Sequence, residues 1–237
     1  MNPFPEYQDP YNLKAGNPNL KPEKIHSVEL GWQYKKEATT LILTPYYRYT
    51  FNKLTSITKV MTDGVLMTTK ENMSSSSAAG AELVFNSSLG RWCNYNLSSN
   101  LFYNAIDATD LGYSDKKGSM AWYVSLNSDF NVGRHLMFQL NTRYNSSVLT
   151  PQGKRGSTYI VNMGARYDMP RYHLAFTATV SDLFDSFKSV TYVDTPTIQQ
   201  KLERRKAPRI FYIGVSYKFG THGDSKKDKG LKYDESL

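Results

Sequence analysis

Residues 209–219 read Arg-Ile-Phe-Tyr-Ile-Gly-Val-Ser-Tyr-Lys-Phe, and this stretch decides the fold. Phe211, Ile213, Val215, Tyr217 and Phe219 fall on one face; Tyr212, Gly214, Ser216 and Lys218 fall on the other. Period-two alternation of this kind specifies a β-strand with one apolar face. Its length also meets the roughly 9–11 residues that a tilted strand needs to cross a bilayer.

The same grammar repeats upstream. Val28, Leu30, Trp32 and Tyr34 alternate with polar neighbours, as do Leu41, Leu43, Pro45, Tyr47, Tyr49 and Phe51. Further apolar faces follow at 80–85, 94–103, 120–130, 136–144, 159–167 and 172–180. The reading is all-β, an antiparallel meander of about nine strands. Pro45 cannot donate to a ladder, so a local bulge is expected there. Short turns at 36–38, 90–91, 131–134 and 168–171 alternate with long polar stretches at 52–79, 105–119, 150–157 and 186–208. The pair Asp63-Gly64 marks a hairpin tip inside the first of these. Strict alternation of short and long connections is a habit of outer-membrane barrels, with short periplasmic turns and long extracellular loops. Sandwiches lack it. The polar face, with Thr44, Arg48, Asn96, Asn127, Asn141 and Lys218, then lines water or a plug.

Bulk properties agree. The chain has 237 residues, 40% hydrophobic content, 14% aromatics and a formal charge of +8. Mean hydropathy is −0.53, and no run reaches the roughly 18 apolar residues of a spanning helix. Alternating strands dilute hydropathy, so a membrane barrel stays open. The single Cys93 excludes an internal disulfide framework. Met1-Asn-Pro-Phe-Pro-Glu6 has neither the basic segment nor the apolar run of a signal peptide. Nine is odd, whereas single-chain bacterial barrels have even strand numbers. Together these features lead to the expectation of a C-terminal part of a larger barrel, one that does not fold alone because of its open edges.

Four stretches carry a family resemblance. Gly16-Asn-Pro-Asn-Leu-Lys-Pro-Glu23, followed by Glu29-Leu-Gly31, closely resembles the motif GNPxLxPE…ELG of TonB-dependent outer-membrane receptors; it rests on Gly16, Asn17, Pro18, Leu20, Pro22, Glu23, Glu29 and Gly31. Gly80-Ala-Glu82 and Ser181-Asp-Leu-Phe-Asp185 resemble the same family at corresponding places. Tyr212-x-Gly214-x-x-Tyr217-x-Phe219 resembles the C-terminal signal read by the barrel-assembly machinery, except that residues 220–237 follow it. The resemblance implies a 22-stranded barrel with an N-terminal plug, of a type found with charged tails in Bacteroidota. It divides the chain into an extracellular loop segment (1–24), barrel (25–219) and a basic, disordered periplasmic tail (220–237).

The function implied is capture and energy-coupled uptake of a large nutrient such as a siderophore, a glycan or a peptide. Its implied partners are outer-membrane lipid and lipopolysaccharide, the assembly machinery, the plug, and through it the inner-membrane energy-transducing complex. The alternatives are a passive or structural outer-membrane barrel and a soluble β-rich binding module. No enzyme, cofactor, metal or nucleic-acid role is expected. His26, His135, His173 and His222 are scattered, without ligand spacing. The basic clusters Lys116-Lys117, Lys154-Arg155 and Arg204-Arg205-Lys206 all fall in the long loops, where lipopolysaccharide phosphates or plain solvent are their counterparts.

Overall fold

Alternation along the chain becomes ladder after ladder in the computed structural model, which describes residues 5–109, 117–205 and 209–219. In chain order the strands are β1 (Glu6–Asp9), β2 (Asn12–Lys14), β3 (Lys24–Glu29), β4 (Trp32–Lys36), β5 (Thr39–Val60) and β6 (Leu66–Leu89). Next come β7 (Cys93–Asp107), β8 (Lys117–Val132), β9 (Leu136–Asn145), β10 (Val148–Thr150), β11 (Gly153–Arg155) and β12 (Thr158–Met169). The last are β13 (Leu174–Ser181), β14 (Lys188–Asp194), β15 (Gln199–Arg205) and β16 (Ile210–Tyr217).

β3 and β4 both pair with β5, and from there β5, β6, β7, β8, β9, β12, β13 and β16 follow one another antiparallel. This is the expected meander, but the count of about nine is too low: the described residues hold sixteen strands. The excess lies in segments that read as loops. The long stretch at 52–79 is mostly strand, because β5 and β6 run to 22 and 24 residues and pair from Thr40–Asn86 to Val60–Leu66. Its tip is the hairpin at Asp63-Gly64, with Gly64 at φ 81°. The stretches at 150–157 and 186–208 contribute β10, β11, β14 and β15, which form a separate four-stranded sheet. Residues 1–24 contribute β1 and β2, the latter parallel to β6. β1 and β15 are mostly polar, β2, β10 and β11 hold only three residues each, and β14 carries Val190 and Tyr192 on one face but Val193 on the other, so periodicity does not reveal them. Residues 220–237, the expected tail, lie outside the described residues.

Pro45 produces no bulge. The register between β5 and the β3–β4 pair is unbroken, since Glu29 faces Tyr46 and Trp32 faces Leu43. The ladder instead lapses at Leu30-Gly31, opposite the proline. Leu30 N–H donates to the Pro45 carbonyl at 3.0 Å, but Pro45 has no N–H to return.

Directly opposed residues share a face, so the registers sort every side chain. One face carries Val28, Trp32, Tyr47, Leu101, Trp122, Phe138, Tyr167, Phe176 and Ile213, all well exposed; Ile213 is 80% exposed. A soluble sheet would bury this face. Burial is concentrated instead at the long-loop end. There Ile57 is wholly buried, and Met73, Ile106 and Ala108 cluster with Leu149 packed against them.

Candidate functional site: the polar wall and its outer tier

A carboxamide row crosses the polar face. Asn86, Asn96, Asn127, Asn141 and Asn162 occupy directly opposed positions on β6, β7, β8, β9 and β12, and Ser181 ends β13 one step past the Met163–Val180 pair. Asn96 donates to Asn86, and Asn141 to Asn127. Asn127 reaches Asn96 at 3.5 Å, Asn162 reaches Asn141 at 3.1 Å, and Ser181 closes on Asn162 at 3.2 Å. A carboxamide offers two donors and two acceptor lone pairs, so each member of the row keeps hydrogen-bonding capacity for whatever faces it. Sequence reading found three of these asparagines. Asn86 and Asn162 were missed, although Asn86 and Asn96 are nearly equidistant from the Gly90-Arg91 turn, a signal that was available.

Nearer the long-loop end, Asn100 is a hub, 5% exposed. It donates to Glu82 at 3.3 Å and to Tyr123 at 3.3 Å, and its oxygen accepts from the Tyr46 hydroxyl at 3.2 Å. Arg48 lies over the Tyr46 ring, 5.5 Å from its centroid, and pairs with Glu29 at 3.2 Å. Two motif carboxylates, Glu29 and Glu82, thus face the same wall. Gly80 is needed here for close approach: a Cβ on it would come within 2.6 Å of the Leu101 carbonyl and of Phe102 Cβ.

The remaining motif residues form a stitch at the long-loop end. Asn17 donates to the Lys70 carbonyl at 3.0 Å, and its own side-chain oxygen accepts from Asn19 N–H at 2.9 Å. Asn72 answers from β6: it accepts from Lys21 N–H at 2.8 Å and donates to the carbonyls of Lys21 and Asn52. Glu23 accepts from Leu54 N–H at 2.6 Å. Gly16, Asn17, Pro18, Leu20, Lys21 and Pro22, with Leu54, line an open cleft of about 390 Å³. Nothing approaches Gly31 within 4 Å of a built Cβ, and no contact explains it.

In Ser181-Asp-Leu-Phe-Asp185, Asp182 is the turn-maker. It is buried at φ 52°, beyond the end of β13. Its carboxylate accepts from Ser186 N–H at 3.0 Å, Ser186 Oγ at 3.2 Å and Phe187 N–H at 2.9 Å. Burial pushes its pKa up, but the amides of Phe187 and Ser186, the Ser186 hydroxyl and the Arg209 charge together hold it below the ordinary carboxylate value. On the neighbouring β16, the Tyr212 ring covers Gly214, 3.2 Å from where a Cβ would stand. Tyr217 and Phe219 stack with centroids 6.3 Å apart.

Of the basic clusters, Lys154-Arg155 on β11 and Arg204-Arg205 on β15 belong to the same four-stranded sheet, with β14 between them. Lys117 begins β8, whereas Lys116, Lys206 and His222 lie outside the described residues. His26, His135 and His173 do not converge, and the described residues hold no group of three metal-ligating side chains.

The aromatic pairs fall into two belts. At the short-turn end are Trp32–Tyr34, Phe85–Tyr95, Trp92–Phe130 and Tyr217–Phe219. Toward the long loops are Tyr49–Phe51, Trp122–Tyr144 and Tyr159–Phe184. Phe130 and Trp122, at opposite belts of β8, stand eight residues apart, about 26 Å along the strand. Strands tilted by ~40° would carry a band of about 20 Å, close to the roughly 25 Å apolar band between the aromatic girdles of outer-membrane barrels.

Comparison with known proteins agrees. The ferric yersiniabactin uptake receptor FyuA from Yersinia pestis is similar in structure, with a TM-score of 0.55 at 15% identity over 81% of this chain and 29% of that one. The siderophore receptor PirA from Pseudomonas aeruginosa gives 0.52 at 19% identity, over 86% of this chain and 31% of that one. The chain therefore spans about 30% of the length of these receptors. No curated protein matches it in sequence. Residues 1–217 match the model of the outer membrane protein beta-barrel family, and with its apolar outer face, girdles and polar wall the chain belongs to that family and to the outer membrane.

Proposed function

We propose that the chain forms the C-terminal wall of an energy-coupled receptor that binds a large nutrient (a siderophore, a glycan or a peptide) and brings it across the outer membrane. The carboxamide row carries this reading. A row of bonded side chains across six strands, backed by an apolar face, suits a wall that meets water or a plug domain. The likeness to siderophore receptors supports it at the level of fold. In this reading residues 1–24 and the four-stranded sheet lie outside the cell, and residues 220–237 extend into the periplasm. Lys154, Arg155, Arg204 and Arg205 meet lipopolysaccharide. Tyr212, Gly214, Tyr217 and Phe219 are presented to the assembly machinery. The motif residues Gly16, Asn17, Pro18, Leu20, Pro22, Glu23, Glu29 and Gly31 shape the outer rim. A plug upstream is moved by the inner-membrane energy-transducing complex. No catalytic role is proposed.

The test uses cells with and without the full-length gene, offered radiolabelled ferric siderophores, oligosaccharides and peptides, with and without a protonophore. One ligand class should bind in a gene-dependent way even with the protonophore, and its accumulation should stop when the protonophore is added. Gene-dependent influx that ignores the protonophore would mean a passive barrel and overturn the energy-coupled reading.

A further inference from the structure

Among the described residues, the outer half of β5 has no neighbouring strand on one side. β3 accompanies β5 only as far as the Lys24–Phe51 pair, while β5 continues to Val60. A strand edge of this kind exposes a row of N–H and C=O groups. Here side chains occupy several of them. Glu23 takes Leu54 N–H, and Asn72 takes the Asn52 carbonyl. Gln152 does more: its Oε1 accepts from Thr58 N–H at 2.7 Å, and its Nε2 donates to the Thr58 carbonyl at 2.7 Å. One primary amide thereby reproduces the two reciprocal bonds that a hydrogen-bonded pair makes between antiparallel strands.

Gln152 comes from the β10–β11 turn, 94 positions away in sequence, and is only 5% exposed. Beside it Ile57 is wholly buried, and Leu149 packs onto Met73, Ile106 and Ala108. The four-stranded sheet is thus fastened to the β5–β6 hairpin. At its other end, among the described residues, Arg204 on β15 donates to Gln8 on β1, beyond the hairpin's far side, at 3.1 Å, and both are exposed.

We propose that Gln152 is a latch, and that the outer tier is a two-piece cover over the barrel mouth that parts at the Arg204–Gln8 seam and stays closed at the Gln152–Thr58 seam. The asymmetry follows from solvent. Water replaces an exposed side-chain bond at little cost, whereas opening the buried seam leaves a backbone donor and acceptor of Thr58 without partners. The latch rests on the fold alone, so it stands or falls independently of energy-coupled uptake.

The experiment takes the full-length protein in outer-membrane vesicles. Hydrogen exchange on the unmutated protein should show the Thr58 amide protected at least tenfold over Ser56, the next outward-facing residue of the same edge. Equal rates would overturn the latch. Trypsin cleavage then compares Q152L, T58A and R204A, with the unboiled gel shift confirming a folded barrel in each. Q152L should raise cleavage after Lys59 and Lys70 at least tenfold. T58A should stay within twofold of the parent, because both bonds go to the backbone. R204A should spare the hairpin and expose Lys14. A folded Q152L cut at the parental rate, or an R204A whose hairpin opens as far as that of Q152L, would overturn the proposal.

Discussion

Asp182 concentrates the chemistry of the outer rim in one carboxylate. It gathers the Ser186 and Phe187 amides and the Ser186 hydroxyl, while its own N–H donates to Asn162 at 2.9 Å. The turn after β13 is thereby tied to the end of the carboxamide row. Its folded pKa is depressed, and the unfolded value is about 3.9. The stabilisation it gives is therefore complete above that unfolded value and is lost as pH falls through the folded one. Amide protection at 183–187, taken relative to the intrinsic exchange rate at each pH, should be high at pH 6 and fall below about pH 4. In D182N an amide group would face the Phe187 N–H, costing about 1–3 kcal/mol for an unsatisfied buried donor, and the pH dependence should vanish. A wild-type turn that is equally protected at pH 3 and pH 6 would refute this account.

Among the elements, the apolar alternation of Leu41 to Phe51 or of Phe211 to Phe219 was legible because one face must be greasy and the other wet. Turns announced themselves through Gly90, Gly133 and Asp63-Gly64. The outer strands were not legible, since β15 is charged or polar on both faces and β14 splits its apolar residues between them, Val190 and Tyr192 on one and Val193 on the other. Nor was the site fully so: Asn127 and Asn141 read as polar-face residues, but their alignment with Asn96 depends on a register set across the 108–116 connection, which sequence spacing does not fix. Pro45 was misread because a bulge is one way to accommodate a proline and a lapsed ladder is another. With the register intact, the defect is one missing donor. P45V should supply it, close the gap at Leu30-Gly31 and add about 0.5–1.5 kcal/mol. The checks are a newly protected amide at residue 45 and a higher urea midpoint; a lower midpoint would show that the fixed φ of proline matters more than the bond.

At the scale of the whole molecule, the two flanks of the meander are unpaired among the described residues. Within those residues, β3 and β4 bond only to β5, and β16 bonds only to β13. Ile213 at 80% and Phe219 at 88% exposure mark the second flank as open on its face as well. In water these faces aggregate; in lipid each unpaired backbone group along the edges costs several kcal/mol. The wall is stable only where other strands close it. Refolded alone in detergent, residues 1–237 should give no compact band in unboiled gels and should aggregate on dilution. Supplying the remaining strands of the same barrel, as a second polypeptide or in one chain, should restore a heat-shifting band larger than 27.0 kDa. Pairing makes the difference between these outcomes, because the carboxamide row, the girdles and the outer stitch are present in both. A compact, heat-shifting species formed by this chain alone, at monomer mass, would mean that its two edges meet each other, and the reading of the chain as one wall of a larger barrel would have to be given up.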